Sequence, residues 1–412
     1  MKDDASQASA AAAGSRAPTA SSWSAREYFA LNANVAAAAT TVGVMSLGES
    51  LWKRFLPKYL ETLGAPVTAI GLFGTAEDFL DGVYQYPGGW LGDRLGRRAA
   101  LLIFVFAAAA GYLVYWGASS WRWAFAGLVL VMAWTSMASP TLFSVIGDAL
   151  PAHQRAMGFT IQSIVKRLPI AVAPTLGGFV ISALGIQAGM RMLLVISVGL
   201  AAVAAAASSL IRIELPTGGR MTLAGVWSTL PSELRRLLLS DVFIRTCEAM
   251  VDVFLVLYAT NVIGIGAPQF GLLLGIQALA AIVVYIPAGR LSDRGRRKPF
   301  VTATFLFFAM FPLAVVLSRS MAALAVAFVI GGLREVGEPS RKAMIVGLSQ
   351  PAIRARSIGL YYLVRSLAIS PAAFIGGLLW NVNPAVPFLA ATAVGLAGTI
   401  IFVFTVDERS AA

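Results

Sequence analysis

GGWLGDRLGRRAALLI, residues 88–103, turns from apolar to strongly basic and back within a few positions. Asp93, Arg94, Arg97 and Arg98 stand between two stretches that are almost wholly apolar. Apolar runs of similar length recur from end to end, including 101–117, 192–210, 300–317 and 388–406. A helix needs roughly 20 apolar residues to cross a bilayer. Hydrophobic residues make up 58% of the chain and charged residues 13%, where a soluble domain carries about 25% charge. Mean hydropathy is +0.76. The chain reads as an all-α, multi-pass integral membrane protein; a β-barrel would show alternating segments of ~10 residues instead.

Twelve spans are expected, at about 31–56, 66–90, 98–118, 121–147, 158–184, 189–212, 239–262, 267–290, 299–318, 321–347, 357–380 and 384–406. The net charge of +12 is orientation information rather than a nucleic-acid patch. Its arginines cluster after even-numbered spans (Arg94, Arg97, Arg98, Arg155, Arg220, Arg235, Arg236, Arg294, Arg296, Arg297), which places both termini in the cytoplasm. The domains are then a disordered cytoplasmic tail over 1–28, a six-helix bundle over 29–212, a central cytoplasmic loop over 213–238, a second bundle over 239–406 and a short tail over 407–412. The Ala/Ser-rich first 24 residues lack the basic and apolar regions of a secretory signal. One cysteine and one histidine exclude an internal disulfide framework and make a metal site or enzyme chemistry unexpected. No cofactor is expected.

The two halves resemble each other. GWLGDRLGRR at 89–98 recurs as GRLSDRGRRK at 289–298, so Asp93 and Asp293 are 200 positions apart. Glu49, Phe55, Leu56 and Tyr59 recur 199 positions on as Glu248, Phe254, Leu255 and Tyr258. Pro140, Pro151 and Arg155-x2-Gly158 find Pro339, Pro351 and Arg356-x2-Gly359. Pro174, Gly177 and Gly178 are echoed by Pro371, Gly376 and Gly377. Anchors in one order at nearly one offset mean a tandem duplication of a six-helix unit.

A Gly-x-Leu-x-Asp-Arg-x-Gly-Arg-Arg loop between spans 2 and 3, repeated between spans 8 and 9, resembles the major facilitator superfamily. The resemblance covers essentially all of 30–406. It implies two pseudo-symmetric six-helix bundles around a central cavity, with alternating access by rocking one against the other. It also implies a gate made of Gly89, Asp93, Arg94, Gly96, Arg97 and Arg98 with Asp148 as the arginine partner, and a second copy at Gly289, Asp293, Arg294 and Arg296. The second copy lacks the residue between Arg and Gly, and no acid aligns with Asp148. Ala173-Pro174-x-x-Gly177-Gly178 is similar to the helix 5 element of proton-coupled drug antiporters, with Ala for its first Gly. The helix 4 arginine of those antiporters is missing. Close helix packing is the other reading of both Pro/Gly elements.

Ionisable groups inside spans cost about 2.5–3.5 kcal/mol each on insertion scales, so they usually face a cavity or a partner. Glu49, Glu77, Asp78, Asp81, Glu248, Asp252 and Glu338 are the candidates for proton coupling. Glu77 and Asp81, four apart, would share a helix face and raise each other's proton affinity. Lys53, Tyr84, Gln85, Gln162, Lys166, Arg167, Arg334 and Arg365 are the candidates for a substrate cavity, and the cations among them suit an anionic solute. Arg334 and Glu338, also four apart, would neutralise each other. Arg245, Arg341 and Lys342 are expected to snorkel to the cytoplasmic face.

These features point to a monomeric, proton-coupled secondary transporter of a small organic solute in a bacterial cytoplasmic (inner) membrane, with lipid and solute as its partners. Multidrug efflux is one alternative; a non-transporting membrane sensor or assembly partner is another, although no extra folded domain supports it. Because only the first motif copy is complete and has an acid to meet it, Asp93→Ala should impair transport more than Asp293→Ala. Equal losses of flux in reconstituted vesicles would refute that asymmetry.

Overall fold

The computed structural model describes residues 32–149, 155–212, 231–293, 297–348 and 354–406. All secondary structure among them is helical. The first half comprises α1 (Ala33–Trp52, a 3-10 turn at Lys53–Phe55, then Leu56–Thr62), α2 (Val67–Leu95) and α3 (Arg97–Gly117). It continues with α4 (Trp123–Met132, a π turn at Ala133–Met137, then Ala138–Ala149), α5 (Arg155–Leu184) and α6 (Ile186–Ser209). The second half holds α7 (Ser232–Asp252, Leu255–Leu257 and a π turn at Tyr258–Ile263), α8 (Ala267–Asp293) and α9 (Lys298–Leu317). It ends with α10 (Met321–Leu333 and Glu338–Leu348), α11 (Arg354–Ile369 and Ala372–Val382) and α12 (Val386–Thr405).

Eight of these rods are long and apolar enough to cross a membrane. The other four, α1, α2, α7 and α10, carry most of the intramembrane charges, the rest being Lys166 and Arg167 of α5 and Arg365 of α11. Their length is sufficient: the 29 residues of α2 extend roughly 43 Å at 1.5 Å per residue. What they lack is uniform apolarity, which a helix needs only where it faces lipid. The faces of α3, α6, α9 and α12 that expose Phe106, Val203, Leu317 and Phe404 are of the lipid-facing kind.

The duplication extends to the irregularities of the helices. The 3-10 turn at Lys53–Phe55 of α1 matches the break after Asp252 in α7, and the π turn at Ala133–Met137 of α4 matches the interruption of α10 between Leu333 and Glu338. Such breaks free backbone groups inside a bundle, where a polar cavity can satisfy them.

One boundary differs from the sequence expectation. Helix α7 begins at Ser232, so 231–238 is not loop. Hydropathy misses this turn because Glu233, Arg235 and Arg236 dilute it. It is amphipathic, however: Leu234, Leu237 and Leu238 are buried with Phe305 and Phe402 of α9 and α12, and Arg236 reaches Glu233 at 2.8 Å. The rest of the expected central loop, 213–230, and both expected tails lie outside the described residues.

Within the first half, α1 packs against α5 and α6, and α3 against α4 and α6; within the second, α7 and α9 both pack against α12. The ends of α1 and α7 touch across the halves, and two broader contacts join them, α5 with α8 and α2 with α11, which the duplication relates to each other. Both broader contacts depend on glycine. A Cβ on Gly178 would press into the backbone of Ala267 and Pro268 at the start of α8, and one on Gly377 into Val67 and Thr68 at the start of α2. Their neighbours Gly177 and Gly376 meet the Leu51 carbonyl of α1 and the Met250 carbonyl of α7, each within its own half. Each glycine pair therefore faces both ways at once. In lipid, where no hydrophobic force drives helices together, such close approach is a main source of association.

Forcing a branched side chain into a filled site costs roughly 1–3 kcal/mol. Gly178→Val and Gly377→Val should each lower thermal stability in detergent by that order, whereas Gly199→Val, where a Cβ meets open space, should stay within about 0.5 kcal/mol. Equal effects at the three positions would show that the glycines do not set the interface.

Candidate functional site

A cavity of about 830 Å³ lies between the halves. Its described lining comes from α1, α2, α4, α5, α7, α8, α10 and α11, and none of it from α3, α6, α9 or α12. The helices that fail the apolarity test thus turn their charges inward. Seven cationic side chains line it (Lys53, Arg54, Lys166, Arg167, Arg245, Arg334, Lys342) with six carboxylates (Glu49, Glu77, Asp78, Glu248, Asp252, Glu335).

On the first-half side, Lys53 sits between two acids. Its Nζ is 2.8 Å from Glu49 Oε1, one turn back on α1, and 2.9 Å from Glu77 Oε1 on α2. Thr135 in the π turn of α4 donates to Glu49 at 3.2 Å. On the other side, Glu248 of α7 accepts from Arg245 at 2.8 Å and from Arg334 of α10 at 3.2 Å. Two ion pairs bridge the halves: Arg54 to Asp252 at 2.7 Å, joining α1 and α7, and Arg167 to Glu335 at 3.1 Å, joining α5 and α10. Beyond Arg54, at the end where α1 turns into α2, Asn261 of α7 donates to Glu61 at 2.7 Å and accepts from Lys58.

Among the described lining residues, three ionic groups have no ion-pair or hydrogen-bond partner: the carboxylate of Asp78 and the ammonium groups of Lys166 and Lys342.

Several sequence expectations are redistributed. Glu77 and Asp81 do not form a pair, because Glu77 turns to Lys53 while Asp81 accepts from Ser136 of α4 at 2.6 Å. Arg334 and Glu338 do not meet either. The helix is interrupted between them, so the four-residue spacing no longer puts them on one face. Arg334 reaches Glu248, and Glu338 is buried against Arg245 at 2.5 Å and Arg341 at 2.8 Å. Arg365 is not among the described lining residues; its Nη1 is 3.6 Å from Asp241 and its guanidinium lies over the Tyr362 ring. Tyr84 donates to the Val129 carbonyl of α4 at 3.3 Å, and Gln85 is exposed away from the described lining. Gln162 does line the cavity.

Arg245 and Arg341 do not snorkel. Arg341 is 2% exposed and is held by Asp241 at 2.8 Å, with the Tyr361 hydroxyl donating to the same Asp241 oxygen at 3.0 Å. A chain of alternating charge therefore runs from Arg334 on the cavity through Glu248, Arg245, Glu338 and Arg341 to Asp241. Asp241 was not singled out in the sequence, though a signal existed: Asp241, Arg245, Glu248 and Asp252 are spaced 4, 3 and 4 residues apart, a stripe along one helical face.

In the first motif loop, Gly96 ends α2 with φ at 88°, a conformation that favours glycine. Arg97 is buried, Arg98 is exposed, and Arg94 lies over the Trp90 ring at 5.0 Å. Gly89 packs beside Pro140 of α4. The side chains of Asp93, Asp148 and Asp293, the surroundings of Gly289, and Arg294 and Arg296 lie outside the described residues.

An uncharacterised MFS-type transporter of Methanocaldococcus jannaschii is 23% identical over 365 residues, 85% of this chain and 89% of that protein. The quinolone resistance protein NorA of Staphylococcus aureus is 26% identical over 133 residues, 32% of this chain and 34% of its own length. A solved POT family transporter in complex with 5-aminolevulinic acid shares the fold with a TM-score of 0.75 at 12% identity, over 90% of this chain and 96% of that one. The model of the Major Facilitator Superfamily matches twice, over 35–236 and again over 237–412. Each half thus carries its own copy, and the chain, a transporter rather than an enzyme, belongs to that superfamily.

Proposed function

We propose that the protein is a proton-coupled secondary transporter of a small organic solute, with Asp78 as the group that takes up and releases the proton. One observation carries this reading: Asp78 is the cavity carboxylate that holds no cation. Protonating Glu49, Glu77, Glu248, Asp252 or Glu335 would remove an ion-pair contact, at a cost that is small for the half-exposed bridges and larger for the less exposed pairs. Protonating Asp78 breaks none. The orientation that suits the basic loops puts the motif loops and both termini in the cytoplasm, in a bacterial inner membrane, with the chain acting as a monomer.

In vesicles loaded with a pH-sensitive dye, solute addition to the wild-type protein should move protons. Asp78→Asn should cut that movement at least tenfold while solute exchange without a gradient persists. Wild-type proton movement in Asp78→Asn would overturn the assignment.

Drug efflux is a second reading, favoured by the Pro174–Gly178 element and the partial likeness to NorA. The charged lining argues against it, since pockets for apolar drugs are mostly apolar. Overproduction in a quinolone-sensitive host should leave the inhibitory concentration of quinolones within twofold of the control; a rise of fourfold or more would favour efflux.

A further inference from the structure

We infer that Lys166 and Lys342, one from each half, form an anion subsite, and that the solute bears a carboxylate or phosphate group held between them. The inference rests on the transport reading above and narrows it to a substrate class.

The argument is one of elimination among the cavity cations. Lys53 is matched by Glu49 and Glu77, Arg54 by Asp252, and Arg167 by Glu335; Arg245 and Arg334 share Glu248. The arginines that a sequence reading offers to an anion are therefore committed to the protein's own acids. Lys166 and Lys342 are not. The Ser46 hydroxyl donates to the Lys166 main-chain carbonyl at 2.9 Å, which ties that turn of α5 to α1 and leaves the ammonium group free. Helix α8 packs against both α5 and α10, and its small residues Ala278 and Ala281 line the same cavity as the two lysines. Gln162, one turn before Lys166 on α5, adds an amide to the same lining.

Two ammonium groups facing one cavity repel each other. An anion between them replaces that repulsion with two attractions. Ammonium groups are compact point charges with three donors, so they accept carboxylate and phosphate alike without the planar match an arginine fork demands. Because the lysines belong to different halves, a bound anion also draws α5 towards α10 beside the Arg167–Glu335 bridge. The proton site is separate. Asp78 lies 11 residues from the start of α2 and Lys166 lies 18 residues from the end of α5, roughly 16 and 27 Å from the same end of the molecule at 1.5 Å per residue.

The test is thermal stabilisation of the full-length protein in a neutral detergent, at constant ionic strength. The probes are succinate, citrate, inorganic phosphate and glycerol 3-phosphate, with succinamide and glycerol as uncharged counterparts and phosphatidylglycerol as a lipid source of the same chemistry. At least one soluble anion should stabilise the wild type, and its apparent affinity should fall at least tenfold in both Lys166→Gln and Lys342→Gln. Lys342→Arg should stay within about threefold of wild type. Lys166→Met and Lys342→Met replace the Gln variants if those fail to fold. The proposal is overturned if no soluble anion behaves this way, if the lysine variants bind it as wild type does, or if only phosphatidylglycerol stabilises, which would make the site a lipid one. Anion binding in Asp78→Asn separates the two readings: its persistence alongside lost proton movement supports both, and failure of proton coupling alone leaves the subsite standing.

Discussion

A charge inside an apolar bundle has to be matched, and this requirement organises the whole molecule. Each unmatched ionic side chain at mid-membrane costs about 2.5–3.5 kcal/mol on insertion scales, and α1, α2, α7 and α10 carry several apiece. The solution is to turn those faces onto one another around the cavity and to surround them with helices that meet lipid. Lys53 between Glu49 and Glu77 fixes α1 against α2, and Glu248 between Arg245 and Arg334 fixes α7 against α10. The broken helices fall where those charges sit.

The duplication is symmetric in backbone and asymmetric in chemistry. Asp241 and Arg341 correspond, 199 positions back, to Val42 and Leu142, both buried and apolar. In the first half the core at this level is neutral: Thr41 shares a hydrogen bond with Ser208 of α6 at 3.0 Å. In the second half the same level holds a buried ion chain that joins α7, α10 and α11. A neutral hydrogen bond contributes about 0.5–1.5 kcal/mol, whereas removing one member of a buried ion pair costs roughly 3–5 kcal/mol. The second bundle is therefore cross-linked by interactions that are hard to break, and the first by interactions that exchange more readily.

Much of this was legible in the residues. The repeated motif, the constant offset and the apolar runs suffice for the duplicated helical architecture, and the paired glycines announced close helix contacts. Partner assignment was not legible, for two physical reasons. Spacing of four residues predicts a shared face only on an unbroken helix, and α10 is interrupted between Arg334 and Glu338. A buried pair such as Asp241 with Arg341, 100 residues apart, leaves no local trace, and an arginine near a span end looks the same whether it snorkels or is sealed in a core. The stripe from Asp241 to Asp252 was the one local clue, and it marks a charged face of α7 without naming the partners on α10 and α11.

The strengths of the ion pairs divide according to what has to move. The pairs that bridge the halves are half-open to water: Arg54 and Asp252 are 46% and 38% exposed, and Arg167 and Glu335 are 36% and 31% exposed. Pairs of that kind are worth about 0–1 kcal/mol, little enough for thermal motion to open and close them. Arg341 and Asp241, at 2% and 0%, lie within one half and have no such freedom. Counted along their helices at 1.5 Å per residue, the two bridging pairs lie at depths of about 12 and 26 Å from one end, with Asp78 between them at about 16 Å. The exposed ion pairs thus lie between the halves and the sealed one lies within the second half.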